Sequence, residues 1–472
     1  MLTISAHKLL EVTRAELVAG SLSAMGQGVA IDSREVAAGN IFFALAGERT
    51  DGHEYCRAAL EAGARILVIT RDDDWDDRVW EAAALRDVVI IRVADALDAL
   101  HALAAWHRTR LHATVVGITG STGKTTTKDF ITSVLATGHT VVATRGNRNN
   151  ELGVPLTLLS ADGDADMLVV EMGMRGLGEI ARLADLARPD MGVVTNVGTS
   201  HVELLGTQDA IAAAKGELVA AIPAQGRVFL NGDDAYSDVL AQQTEAPVVT
   251  YGLCERCDVR ANEIALDDAG CASFDLVCPG VGPVRVTLGV PGRHNVYNAL
   301  AAAAVGLACG LSCEQVRDGL TAAKVTAMRL EPFMSAAGVH VINDAYNANP
   351  SSMRAALDVL ASVTASGRRV AVLGDMAELG SLSELAHFQI GEAVAVHGID
   401  VLVTAGEKAR RIADGALASG MSSDRVRPCA TPDEASEVLD DLLEPGDLVL
   451  VKASRSMRLE SVVEGIVNPR VG

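Results

Sequence analysis

Long apolar runs are missing from this chain. No window of its 472 residues approaches the roughly 18 uninterrupted apolar residues of a membrane span. Basic residues are also in deficit, with 40 Lys and Arg against 61 Asp and Glu and a formal net charge of −21. No basic run exceeds a pair, so the cationic face that a nucleic-acid binder needs is absent, and the chain as a whole repels polyanions. Cysteine is sparse, eight in 472 residues, well below the density of a disulfide scaffold. Nor does a secretory signal open the sequence: "MLTISAHKLLEVT" mixes polar and apolar residues without a continuous apolar core. These absences lead to the expectation of a cytoplasmic protein with no membrane span and no nucleic-acid partner; nothing in the sequence encodes an oligomer, so monomer is the default. What is present is globular: 49% hydrophobic and 21% charged residues. At roughly 150 residues apiece, that length allows about three domains.

The cysteines hold one pattern worth weighing. Cys254 and Cys257 form a C-x-x-C, followed by Cys271 and Cys278. Four thiols could hold zinc, but the second pair is too widely spaced for a zinc knuckle, which favours small apolar residues in a β-rich stretch.

Three regions separate by pattern. Residues 1–112 carry mixed short elements, with "NIFFALAG" and "ARILVITR" strand-like and the acidic "DDDWDDRVWE" at 72–81 a solvated surface segment. Residues 113–326 alternate buried parallel strands ("TVVGIT", "MLVVEMG", "MGVVTNVG") with amphipathic helices, then turn β-rich from about 247 to 290 before a helical "NVYNALAAAAVGLACG". Residues 327–472 form a second alternating unit, with strands "VHVINDAY", "RRVAVLGDM", "DVLVTAG" and "DLVLVKAS". The expected fold class is α/β with three domains: a small α/β domain, a central P-loop-type doubly wound domain and a C-terminal Rossmann-like domain. In such sheets ligands collect at the carboxyl ends of strands.

"VVGITGSTGKTTTKDF" at 115–130 is a glycine-broken turn between an apolar strand and a helical pattern. The usual Walker spacing fails, because Ile118 stands where the first glycine belongs. The chemistry survives: Gly120 and Gly123 let the backbone turn closely around phosphate, Lys124 faces the β/γ-phosphates and Thr125 offers a hydroxyl to Mg²⁺. Glu171 closes an apolar strand; it is either a metal or bridging ligand or a strand-end glutamate reaching solvent. His201 lies on the carboxyl rim of the sheet, where a lone histidine is usually only surface. Lys215 falls within the apolar stripe Ile211, Ala214, Leu218, Val219, Ile222 of its helix. There it either snorkels to water or is buried with its pKa lowered, a neutral amine able to form a carbamate with CO₂.

The chain resembles the ATP-dependent Mur ligases of peptidoglycan synthesis over most of its length. The likeness is carried by "TGSTGKTT", "TRGNRNNELGVPLTLL", "EMGMRGLGEIARLADLARPD", "AAAKGEL", "RHNVYNAL", "NDAYNANPSSM", "VLGDMAELG" and "VKASRSM", in that order and spacing. The resemblance implies that Gly120, Ser121, Thr122, Gly123, Lys124, Thr125 and Thr126 hold ATP and Mg²⁺. It implies Thr125, Glu171 and His201 as metal ligands, a carbamylated Lys215, and Asn295 near adenine. Arg329 and Asp344 would close onto the nucleotide, with Lys124, His201, Lys215 and Asp344 catalytic. In "DSREVAAGNIFFALAGERTDGHEYC", Ser33, Arg34, Gly47, Asp51, Gly52 and His53 match the uridine-diphosphate end of the substrate site. Asn147 and Asn150 would face the muramoyl-peptide, and Asn347 and Asn349 complete the substrate set. The implied activity joins D-alanyl-D-alanine to UDP-MurNAc-tripeptide through an acyl phosphate. The family members that add a single diamino acid typically carry Asp-Asn-Pro-Arg, and that motif is absent. Folylpolyglutamate-type ligases are the other relatives to weigh. The sequence also lacks Asn-Lys-x-Asp, which argues against a guanine-nucleotide switch. Two departures stand out: "HVELLG" beside His201, and Ala453 in place of a frequent glycine.

Overall fold

In a computed structural model of the chain, residues 1–472 are described except for 48, 49, 73, 74, 76, 279 and 469–472. The chain divides into two compact units. One comprises Met1–Gly117, His139–Met172 and Ala181–Asp190; the other comprises Ile118–Gly138, Gly173–Ile180 and Met191–Gly472.

The first unit contains a five-stranded sheet in the order Glu16–Ala19, Val89–Arg92, Ile66–Ile69, Ile41–Phe43, Val29–Ala30. Glu16–Ala19 runs antiparallel at one edge and the other four are parallel. Ile41–Phe43 and Ile66–Ile69 are buried at every position. Such uninterrupted apolar runs are what a sheet covered on both faces requires. Helix Cys56–Ala62 supplies Cys56, Ala59 and Leu60 to one of those faces. Of the acidic segment 72–81, residues 73, 74 and 76 lie outside the described residues; from Asp77 the chain is helical to Leu85. The strands Val141–Ala143 and Met167–Glu171 pair in parallel in the same unit.

In the second unit, Met191–Val194, Arg227–Asn231, Val248–Gly252 and Val259–Leu266 are successive parallel neighbours. Cys271–Cys278 and Val281–Pro291 extend them as an antiparallel meander, which accounts for the β-rich stretch read from the sequence. Helix Asn295–Ala308 is buried almost all round, including Ala301–Ala304. Its small residues admit close neighbours, and a Cβ on Gly306 would lie 2.5 Å from the Val134 Cγ1 of helix Lys124–Leu135.

The same unit holds a six-stranded sheet in the order Glu331–Met334, His340–Asn343, Leu448–Lys452, Arg369–Gly374, Val401–Ala405, Val426–Cys429. Only the first of these is antiparallel. Two apolar clusters, one centred on Met353, Leu357 and Ile390 and one on Val451, Leu439 and Val462, cover its residues. The pattern of alternating strands and helices is that of a doubly wound domain. Helices Ser383–Val396 and Arg410–Ala418 approach so closely that a Cβ on Gly415 would lie 2.0 Å from the Phe388 carbonyl oxygen. Gly415→Val is expected to cost roughly 1–3 kcal/mol or more through overpacking. Gly465→Ala, in a helix where the added methyl meets nothing within 4 Å, is expected to be neutral or to stabilise by up to about 1 kcal/mol. Urea denaturation of the two variants checks the contrast.

Candidate active site

The turn after Thr119 is fixed by residues of the neighbouring strand end. Ser121 N–H donates to the Asn196 carbonyl at 3.0 Å, and Thr122 N–H to Asn196 Oδ1 at 3.0 Å. Thr195 Oγ1 donates to the Thr122 carbonyl at 2.6 Å, and Gly198 N–H to Ser121 Oγ at 2.8 Å. This close approach explains the glycines. A Cβ on Gly120 (φ 151°) would sit 1.8 Å from Thr195 Oγ1, and one on Gly123 (φ 76°) 2.5 Å from Asn298 Oδ1. Gly123 in the left-handed region opens helix Lys124–Leu135, whose first amides have no intrahelical acceptor. Lys124 folds over the turn, its Nζ donating to the Gly120 carbonyl at 2.7 Å. Gly120, Ser121, Thr122, Gly123, Lys124, Thr125 and Thr126 thus form one pinned loop at the carboxyl end of a strand.

Lys215 lies on helix Gln208–Ala220 with Ile211, Ala214, Leu218 and Val219 buried beside it. At 1% exposure the side chain does not snorkel. Burial, and then the nearby charge of Lys124, lower its amine well below the ordinary lysine range. The charge of Lys124 thus acts on the buried Lys215 amine.

His201 has φ 66° and precedes the short helix Val202–Leu205. Its Nδ1 lies 2.5 Å from Glu378 Oε2. The imidazole holds the Glu378 carboxyl below its usual range.

Arg329 reaches the loop: its Nη2 donates to Thr125 Oγ1 at 3.1 Å, its guanidinium stacks 4.2 Å above the Tyr346 ring, and its Nε is buried without a partner. Asp344 accepts from Lys452 Nζ at 2.5 Å and from the Leu330 amide at 3.3 Å. Lys452 Nζ also donates to the Asn347 carbonyl at 2.9 Å. Asn349 caps helix Pro350–Ser362 in a capping box with Ser352, and its Nδ2 donates to Ser200 Oγ at 2.7 Å. Asn295 is buried, its Nδ2 donating to the Pro291 carbonyl at 2.7 Å and its Oδ1 accepting from Asn298 at 2.8 Å. Asn298 Oδ1 in turn accepts from Thr127 Oγ1 at 3.1 Å. The two asparagines thus tie one buried helix to the phosphate-loop helix.

The remaining expected residues belong to the first unit. Glu171 is 1% exposed; Oε1 accepts from Asn149 at 2.7 Å while Oε2 is buried with no partner. That geometry removes the solvent-reaching alternative and leaves an open acceptor. Asn150 Oδ1 accepts from the Gly153 amide at 3.1 Å where helix Gly153–Ser160 begins, and Asn147 lies in the loop before it. Ser33 and Arg34 form a single 3₁₀ turn in which the Arg34 guanidinium holds Asp32. The Gly47 amide donates to the Thr50 carbonyl at 2.9 Å, and a Cβ on Gly52 would meet the Leu45 amide nitrogen at 2.6 Å. Asp51 accepts from the His53 amide at 2.9 Å, from His53 Nδ1 at 2.6 Å and from Arg71 at 2.9 Å. His53 Nε2 accepts from the Thr70 amide at 3.0 Å, which fixes the proton on Nδ1.

Comparison with known proteins identifies the family. Residues 27–108 match a model of the Mur ligase family catalytic domain, 118–306 the Mur ligase middle domain, and 328–455 the Mur ligase glutamate ligase domain. The UDP-N-acetylmuramoyl-tripeptide--D-alanyl-D-alanine ligase of Bacillus subtilis (strain 168) is 37% identical over 461 residues, covering 96% of this chain and 97% of the relative. The enzyme of that name from Mycobacterium tuberculosis (strain H37Rv) is 40% identical over 468 residues, covering 93% and 92%. The chain belongs to the Mur ligase family. Among solved structures, MurF from Acinetobacter baumannii superposes with a TM-score of 0.85 at 31% identity over 99% of both chains. MurF from Thermotoga maritima, in complex with ADP, gives 0.76 at 28% identity over 93% of this chain and 96% of that one.

Several contacts of this Mur ligase were not legible as site residues in sequence. Lys452 sits in "VKASRSM", yet nothing in that segment announces that its ammonium is buried against Asp344. Asn298 is one helical turn beyond Asn295, and that spacing was the available signal. The four thiols do not assemble: Cys278 Sγ lies 4.0 Å from that of Cys313, and Cys254 Sγ lies 2.9 Å from that of Cys257.

Burial raises the Asp51 pKa, but the bonds from His53 and Arg71 outweigh it and hold the carboxyl well below the usual range. A carboxyl depressed on folding stabilises above its unfolded pKa, about 3.9, and that contribution is lost as pH falls through the folded value. Asp51→Asn should therefore lower stability at neutral pH and flatten its decline below about pH 4, measured by denaturant titration across pH.

Proposed function

We propose that this Mur ligase is a cytoplasmic, monomeric, ATP-dependent ligase that joins D-alanyl-D-alanine to UDP-MurNAc-tripeptide. The reading rests on end-to-end similarity to relatives named for that reaction, 97% of one of them covered at 37% identity. ADP in the Thermotoga maritima MurF structure supports the pinned loop Gly120–Thr126 as the nucleotide site. Residues 1–112, 113–326 and 327–472 are assigned to the UDP-muramoyl substrate, to ATP and to the incoming amine. Ser33, Arg34, Gly47, Asp51, Gly52, His53, Asn147 and Asn150 serve the first of these, and Asn347 and Asn349 the last. The single-diamino-acid and folylpolyglutamate ligases among the structural relatives are 17% and 18% identical, so they share the fold, and nothing favours their acceptors.

The residues fit a magnesium ion. Glu171 Oε2 is a buried acceptor with no partner, and Thr125 presents a hydroxyl at the loop. Thr125, Glu171, His201 and a carbamylated Lys215 would hold the ion, which when bound supplies neutralisation of phosphate charge. Burial favours the neutral amine of Lys215, the form that reacts with CO₂. In the first half-reaction the peptide carboxylate attacks the γ-phosphate and ADP leaves. Two anions must meet there, and Lys124 together with the partnerless Nε of Arg329 offsets their repulsion. In the second half the amine of D-alanyl-D-alanine displaces phosphate from the acyl phosphate, which must be kept from water. The Arg329–Thr125 contact supports a closing role for the segment that follows residue 326.

An acceptor panel with purified UDP-MurNAc-tripeptide tests the reading. ADP release is expected with D-alanyl-D-alanine; release with glutamate or diaminopimelate in its place would overturn the assignment. Lys215→Ala should lose about 100-fold or more in kcat, the scale of losing one pre-organised charge stabiliser. Short carboxylates should restore part of it, and an absence of rescue rules out the carbamate.

A further inference from the structure

The turn between strands Val248–Gly252 and Val259–Leu266 brings together Asp233, Cys254 and Cys257, whose ligand atoms lie within 4.8 Å of one another. The two sulfurs are 2.9 Å apart, and the Cys257 amide donates to the Cys254 carbonyl at 3.1 Å, closing a four-residue turn. We propose that Cys254 and Cys257 are a reversible redox pair that forms an intramolecular disulfide on reaction with a low-molecular-weight disulfide.

Three observations favour this over a metal. Two thiolates on one tetrahedral zinc stand about 3.8 Å apart, given Zn–S bonds near 2.3 Å; the observed pair is far closer, and a disulfide of about 2.0 Å needs only a small further approach. The Asp233 oxygens already accept the Leu253 amide at 2.6 Å and the Cys254 amide at 3.1 Å. The Arg256 guanidinium donates to the Gly232 carbonyl at 2.6 Å, and its positive charge beside Cys254 opposes a cation. Cys254 is half-buried and reachable, whereas Cys257 is buried, its thiol pushed up to about 12 chiefly by burial. Cys254 is therefore the attacking sulfur and Cys257 the resolving one. A bridge across so few residues removes little chain entropy, so it is of the labile rather than the structural kind.

Cys254 loses its proton to water, and its thiolate attacks one sulfur of the reagent, breaking the S–S bond and expelling a thiolate. Cys257, giving its proton to the medium, then attacks the Cys254 sulfur and expels the second thiolate. Two cysteine thiols lose two electrons, and the reagent is reduced to two thiols.

The test uses the full-length reduced protein in glutathione/glutathione-disulfide mixtures, with alkylation and peptide mapping by mass spectrometry. Zinc content is measured in parallel. A Cys254–Cys257 bridge reversed by dithiothreitol is expected, with no bridge at the buried Cys278–Cys313 pair. Cys257→Ser should instead accumulate glutathione on Cys254. A wild-type protein that stops at the Cys254–glutathione adduct, or whose two thiols never oxidise, would overturn the proposal. So would one zinc per chain, released only when these thiols are blocked. None of these readouts depends on ligase activity.

Discussion

The Lys215 amine is shut away from water and lies within reach of the Lys124 charge, and that constraint sets the character of the second unit's candidate site. Burial disfavours the ammonium of Lys215, and the charge of Lys124 disfavours it further. A helix rich in alanine, with Ile211, Leu218 and Val219 buried on it, would hold an aliphatic residue at that position at lower cost. A lysine kept there is suited to a site that receives anions. In the proposed reaction the Lys124 charge would face a phosphate, and the neutral Lys215 amine would undergo chemistry closed to an ordinary surface lysine.

Everything around the pair fixes position. Thr195 and Asn196 hold the turn from one side, and the Asn295–Asn298–Thr127 chain holds the following helix from the other. Because those contacts occupy the space where side chains would lie, Gly120 and Gly123 cannot carry a Cβ without displacing them. The loop is therefore pre-organised by packing. Arg329 brings a second cation to the loop at Thr125, oriented by the Tyr346 ring beneath it. Asp344 is oriented by Lys452, so a residue expected at the nucleotide is held by a buried ion pair.

The sequence carried the fold class and the local chemistry well where a short pattern determines them. The apolar runs that read as buried strands are buried strands, the helical phase of Lys215 predicted its apolar surroundings, and the strand–turn–helix context identified the loop despite Ile118. Side-chain pairings between distant segments were not legible. His201 with Glu378, Lys452 with Asp344, and Arg329 with Thr125 each join residues far apart in the chain, and no periodicity encodes such a meeting. Asn295 and Asn349 show the converse limit. Their motifs are specific, yet their amides are engaged in a buried network and a helix cap.

The most direct test of the central claim is the titration of the Lys215 amine itself. It can be followed by NMR of ¹³Cε-labelled lysine in the nucleotide-free chain under CO₂-depleted buffer, with Lys215→Met to assign the resonance. The account predicts a midpoint well below that of the surface lysines, moving upward when Lys124 is replaced by Met. A midpoint near the ordinary value of about 10.4, unmoved by that replacement, would contradict it.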